Sequence, residues 1–79
     1  MGEITKRILS LLMVSGAQNE ARALTMEELG AKINVPTGLV ATEVNEMVAD
    51  GYVQLIVSEG QPRVYLTGTG VITASSTYS

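Results

Sequence analysis

The 79 residues predict a single α+β domain, mainly α, built from three helices and a two- to three-stranded β-structure. Three observations carry that expectation. Apolar residues recur at helical spacing in three stretches: Ile4-Ile8-Leu11-Leu12, Met26-Leu29-Ile33 and Val40-Val44-Met47-Val48. A run rich in β-branched and aromatic residues, Tyr52–Ser58, is followed by a second candidate strand, Arg63–Thr67. Between the second and third helical patterns lies only Asn34-Val35-Pro36-Thr37, where Pro36 has no N–H to give and pushes Val35 out of helical geometry.

The first helix is expected from Ile4 to about Ser15. Leu9 and Met13, four residues apart, lie off its main stripe and widen the apolar arc, as in a helix gripped on two sides by its own domain. Gly16–Arg22 is small and polar, a helix end plus loop. The second helix has a well-marked start. Thr25 followed by Glu28 is a capping box, in which each side chain satisfies a backbone N–H, and Leu24 with Leu29 can form a hydrophobic staple. The third helix is predicted to begin at Thr37 as N-cap and to run to Asp50. Gly51 is placed for a left-handed ending, with Tyr52 against Met47 as in a Schellman motif. Two helices joined by so short a turn form a helix-turn-helix unit.

In the hairpin, Gly60 is available for positive φ within Ser58-Glu59-Gly60-Gln61, and Pro62 opens the return strand. Val64 and Leu66 are expected to face one way, and Arg63, Tyr65 and Thr67 the other. Thr67–Ala74 is too rich in glycine and threonine for more than about two helical turns. Residues 1–74 are read as one domain, with Ser75–Ser79 as a frayed tail.

Composition excludes several classes. With neither Cys nor His, the chain has no disulfide, no thiolate or imidazole metal ligand and no histidine base. The carboxylates are scattered over exposed helical positions, and Thr67-Gly68-Thr69-Gly70 lacks the lysine of a phosphate-binding loop. No catalytic site, metal or cofactor is expected. No run approaches the ~20 apolar residues that span a bilayer, and the N-terminus matches neither a signal peptide nor a myristoylation site. A soluble cytoplasmic protein is therefore the expectation. A domain this small buries only ~60% of its unfolded surface. Its 46% hydrophobic content is high for that size, so a partner is expected to cover part of it.

Glu28-Leu29, Val35, Val40, Val44, Met47 and Asp50-Gly51-Tyr52-Val53, continued by the two strands and by Leu66-Thr67-x-x-Gly70, resemble the pattern of winged helix-turn-helix domains of the MarR- and ArsR-like regulators. The resemblance covers roughly Ile4 to Gly70 and rests on order and spacing. It implies that Ala23-Leu24 forms a short strand pairing with the wing. It also implies a small transcriptional regulator that binds double-stranded DNA. A homodimer is implied too, for which Leu9 and Met13 on the first helix are the candidate seam. The same fold also serves as a protein-interaction module, which stands as the alternative.

In a helix-turn-helix, the second helix presents its N-terminal, outward residues to base edges. Here these are Thr37, Gly38, Leu39, Ala41, Thr42 and Asn45. Asn45 suits adenine, Thr37 and Thr42 a base or phosphate, and Leu39 or Ala41 a thymine methyl. Thr42 stands where the families resembled often have arginine. Affinity would fall to Lys6, Arg7, Arg22, Lys32 and Arg63, with Lys32 as a phosphate clamp and Arg63 at the wing tip. Against this stand a net charge of −3 and three acids on the same helix, Glu43, Glu46 and Asp50.

Overall fold

The computed structural model describes residues 2–78. Its order is α1 (Glu3–Val14), a 3₁₀ turn (Glu20–Arg22), β1 (Leu24–Thr25), α2 (Met26–Ile33), α3 (Thr37–Ala49), β2 (Val53–Ser58), β3 (Gln61–Leu66) and α4 (Gly68–Tyr78). The sheet is antiparallel in the order β1-β3-β2. Leu24 pairs with Val64 in β3, and Val53 with Leu66, so the short first strand forms one residue later than expected. None of the described helices is long and apolar enough to cross a membrane.

Three helices end by the same device. Gly16, Asn34 and Gly51 take positive φ (70°, 59° and 82°). The next residue then donates back across the last turn: Ala17 to Leu12, Val35 to Gly30 and Tyr52 to Met47, at 2.9, 2.9 and 3.0 Å. These are Schellman endings, which satisfy carbonyls the helix itself leaves open. The one after α3 was expected. In the turn after α2, Asn34 supplies the left-handed residue, so Pro36 is not the sole breaker.

The core gathers one face of each of the four α-helices and of the sheet. Ile8, Leu9 and Leu12 of α1 meet Leu29, Val40, Val44 and Met47 of the helix-turn-helix, and Val53, Val64 and Leu66 close it from the sheet. Burial of each such aliphatic side chain contributes about 1.5–3 kcal/mol. Val64 and Leu66 face inward as the alternation required, with Arg63 and Tyr65 on the other face.

The C-terminus departs from expectation, giving four helices instead of three. α4 spans eleven residues, so Ser75 to Tyr78 lie in a helix and not in a tail, while Ser79 is outside the described residues. Its sequence is a poor helix former, but Thr67 caps it. The Thr67 hydroxyl accepts from the Gly70 N–H at 2.9 Å. It also lies 2.6 Å from the Gly51 carbonyl oxygen, to which it donates. The Thr67 N–H donates to the Tyr52 carbonyl at 3.0 Å. Gly70 is required by close approach, because a Cβ there would collide with that same Tyr52 carbonyl. α4 then lies against α1, burying Ala74. Tertiary packing overrides weak propensity.

Candidate nucleic-acid interface

The backbone of α3 decides which candidates are presented. Pro36 (φ −56°) is its N-cap and makes no side-chain cap, so Thr37 is the first helical residue and not the cap. Pro36 is pre-set for that place by its fixed φ. Val40, Val44 and Met47 are buried. At 100° per residue, the strip diametrically opposite them is Gly38, Thr42, Asn45 and Ala49, all exposed and uncharged. Thr37 is exposed at the first turn, and Leu39 is 44% exposed on one flank. The buried stripe is narrower than expected. Val48, assigned to the inner side, is 37% exposed, and Ala41, assigned outward, is half-buried.

Two side chains on the outer strip have hydrogen-bonding capacity. The Thr42 hydroxyl donates to the Gly38 carbonyl at 3.1 Å, which ties its proton to its own helix and leaves its oxygen free to accept. The exposed Asn45 amide has no hydrogen-bond partner among the described residues. The two acids of α3 and its C-cap Asp50 sit on one flank. Glu43, Glu46 and Asp50 share a depression of about 560 Å³ with Gly2, Thr5 and Tyr52, and the Thr5 hydroxyl donates to the Glu43 carboxylate at 2.9 Å. These acids are turned toward the start of α1, off the outer strip. Among the described residues no three acidic, cysteine or histidine side chains could hold a metal ion.

Arg63 does not occupy the wing tip. It lies within β3, paired with Thr25 on one side and Ile56 on the other. Its guanidinium stands between two carboxylates, 3.6 Å from Glu59 and 4.0 Å from Glu28, with the side chain 25% exposed. The tip is Glu59-Gly60 and carries the acid. The physical reason is the two-residue turn: positive φ at Glu59 and Gly60 pulls the strands together at Ser58 and Gln61, leaving Arg63 two residues inside.

Glu28 serves the other end of the same network. It accepts from the Thr25 N–H at 3.0 Å while the Thr25 hydroxyl accepts from the Glu28 N–H at 3.0 Å, the expected capping box. The bond from the Thr25 N–H holds the Glu28 carboxyl below its ordinary value of 4.5. Partial burial opposes this, and the Thr25 hydroxyl, Arg63 and Lys32 reinforce it.

Lys32 is exposed in the last turn of α2, where a cation also complements the helix dipole. Arg7 reaches the same end and donates to the Ile33 carbonyl at 3.4 Å. The sequence did not bring Arg7 and Lys32 together; the packing of α1 on α2 does. A shallow cleft of about 170 Å³ separates the starts of α2 and α3 from the wing, lined by Thr25, Met26, Glu27, Thr37, Gln61 and Pro62. Nothing in the sequence marked Gln61 or Glu27 as neighbours of Thr37. The cleft is smaller than the ~300 Å³ at which ligand pockets begin.

The proposed dimer seam is half corrected. Leu9 is fully buried in the core of its own chain and offers no surface to a second copy. Met13 is partly buried against that core, with the Gln18 amide 3.8 Å from its sulfur.

No family model and no curated protein matches the chain. Solved structures do. A Ralstonia eutropha protein, provisionally described as DNA-binding, superposes with a TM-score of 0.84 at 18% identity, covering 100% of this chain and 99% of that one. MepR of Staphylococcus aureus, in complex with DNA, superposes at 0.83 with 13% identity over 96% of this chain and 60% of its own. The MarR family transcriptional regulator SPO1453 of Silicibacter pomeroyi gives 0.77 at 23% identity, covering 95% and 50%. This chain thus spans half to three-fifths of the two larger regulators. At these identities the agreement is one of fold, and the fold is the winged helix-turn-helix.

Proposed function

We propose that this protein is a small DNA-binding transcriptional regulator that sets α3 in the major groove with the β2–β3 wing beside it. The observation that carries the reading is the outer strip of α3, exposed and free of charge, with its acids collected on the flank toward α1. A strip opening on Gly38 and continuing through Thr42 and Asn45, with Thr37 exposed at the first turn, can approach base edges without setting carboxylates against phosphate. Leu39 and the half-buried Ala41 border it and suit a thymine methyl. The fold shared with a regulator solved in complex with DNA supports the same reading. Such a regulator acts in the cytoplasm, and a homodimer would present two α3 helices to a two-fold-symmetric site.

Phosphate contact falls to Lys32 and Arg7, since Arg63 is held by two acids. Two contacts per chain give a salt slope of about −2, or about −4 for a dimer. Fluorescence anisotropy against random-sequence duplex, followed by site selection, tests the reading. Binding with such a slope is expected. Thr42→Ala and Asn45→Ala should relax base preference and leave non-specific binding nearly unchanged. Uniform loss across all sequences would remove α3 from the groove.

The second reading, a winged helix that docks on protein, is favoured by the acidic wing tip at Glu59 and by exposed Leu39. Absence of duplex binding even at low salt would select it.

A further inference from the structure

The wing and α3 border a shallow trough that the core does not fill. β2 returns along the flank of α3. Thr37, at the start of α3, stands across the cleft from Pro62, and Pro62 pairs with Val57 near the end of β2. Leu55, Val57 and Pro62 share the sheet face that buries Val53, Val64 and Leu66, but they lie beyond the core. Leu55 is 39% and Val57 76% exposed, and Met26 lines the cleft beside Pro62. At 100° per residue, Ala41 and Val48 fall within about 40° of Thr37, so the same flank of α3 supplies the facing wall. The thirteen residues of α3 rise ~20 Å, and the six of β2 extend about as far.

The charge around this trough has one sign. No cation lines the cleft. Arg63, the wing's single cation, lies on the opposite face of the sheet between Glu28 and Glu59. Lys32 is in the last turn of α2, away from Met26 at its start. The acids at the margin are Glu27, which lines the cleft, and Glu59 at the wing tip, two residues beyond Val57. A phosphate backbone laid across this face would meet carboxylates and apolar side chains, with nothing to neutralise it.

We propose that the trough seats a basic amphipathic helix of a partner protein. Apolar residues on one face of that helix cover Leu55, Val57 and Pro62, and lysines or arginines at its margins meet Glu27 and Glu59. The walls are a sheet face and a helix flank, which present side chains and not main-chain groups. An extended peptide would leave its own N–H and C=O groups unpaired there, whereas a helix satisfies them internally. A second copy of this chain suits the trough less well, because its net charge of −3 sets like charge against the two acids.

The probe is a fluorescein-labelled leucine–lysine peptide of about 14 residues, which spans ~20 Å as an amphipathic helix. A leucine–glutamate peptide of the same pattern is the control. The titrations contain no duplex, so they read this surface whether or not α3 binds DNA. The lysine peptide is expected to bind saturably, at least about tenfold tighter than the glutamate peptide. Val57→Ser should weaken it about tenfold, and Glu27→Gln about two- to threefold. Ile72→Ser, at an exposed apolar site on α4, should leave it unchanged. Val57→Thr, which keeps the β-branched shape, is the second variant should Val57→Ser unfold, with circular dichroism as the check. Absence of binding, or equal affinity for the two peptides, overturns the proposal. So does indifference to the Val57 variants in folded protein, or an equal loss at Ile72→Ser, which would mark general adsorption. A drop in the protein's own mass in solution on Val57→Ser, with peptide binding unchanged, would give the trough to a second copy and also overturn it.

Discussion

α2 and α4 invite comparison, because each is a short helix that follows a strand and opens on a threonine cap. At α2, Thr25 and Glu28 bond each other reciprocally, and Met26 and Leu29 turn to the core. Every one of these signals lies within a few residues. At α4 the Thr67 hydroxyl serves Gly70 on one side and Gly51, sixteen residues earlier, on the other. Its sequence offers no reciprocal glutamate and little apolar periodicity. The first helix is specified locally, the second by the surface it lands on.

The sharpest way to break that comparison is at Gly70. Gly70→Ala drives a methyl into the Tyr52 carbonyl and is expected to cost about 3 kcal/mol in urea unfolding. Gly38→Ala, on an exposed helix with open space around it, should be neutral or stabilise by up to about 1 kcal/mol. Equal tolerance at both sites would mean that α4 is not held at its start. The caps come next. Thr67→Ala loses bonds in both directions and is expected to cost about 2 kcal/mol, against about 1 kcal/mol for Thr25→Ala.

A pH series isolates the local side. The Glu28 carboxyl is depressed in the folded state, so its contribution to stability is present above the ordinary value of 4.5. It is lost as pH falls through the lowered value. Glu28→Gln should flatten the acid limb of the stability curve below about pH 4.5, measured by chemical denaturation, and leave the Thr67→Ala penalty unchanged. The smallest effect is expected at the wing. Because Arg63 is occupied by Glu28 and Glu59, Arg63→Ala should weaken duplex binding only a few-fold. Glu59→Gln should strengthen it by a similar amount, and Arg63→Ala should then cost more in that background, read by anisotropy at low salt. A full unit of salt slope lost on Arg63→Ala alone would show that the two acids release it.

Sequence reading succeeded where one element carries its own boundary signals. The capping box at Thr25, the left-handed Gly51 after α3, and the inward Val64 and Leu66 all follow from spacing within a single segment. It failed where a residue's role depends on what lies opposite. Leu9 could be a dimer seam or a core position until the packing buried it in its own chain, and Arg63 looked like a free cation until a two-residue turn set Glu59 beside it. At the candidate interface, helical periodicity placed Gly38, Thr42 and Asn45 outward. It did not show the turning of Glu43 toward Thr5.

By itself the sequence determined the helix-turn-helix, the hairpin and the face each strand buries. These rest on backbone preference and periodicity acting over two to seven residues. Only the tertiary structure decided that Thr67–Tyr78 is a helix, that Arg63 is neutralised and that the acids of α3 leave its outer strip clear. Each of those outcomes depends on contacts between segments far apart in the chain, such as Thr5 with Glu43 and Arg63 with Glu28. Chain folding supplies that proximity, and no local pattern records it.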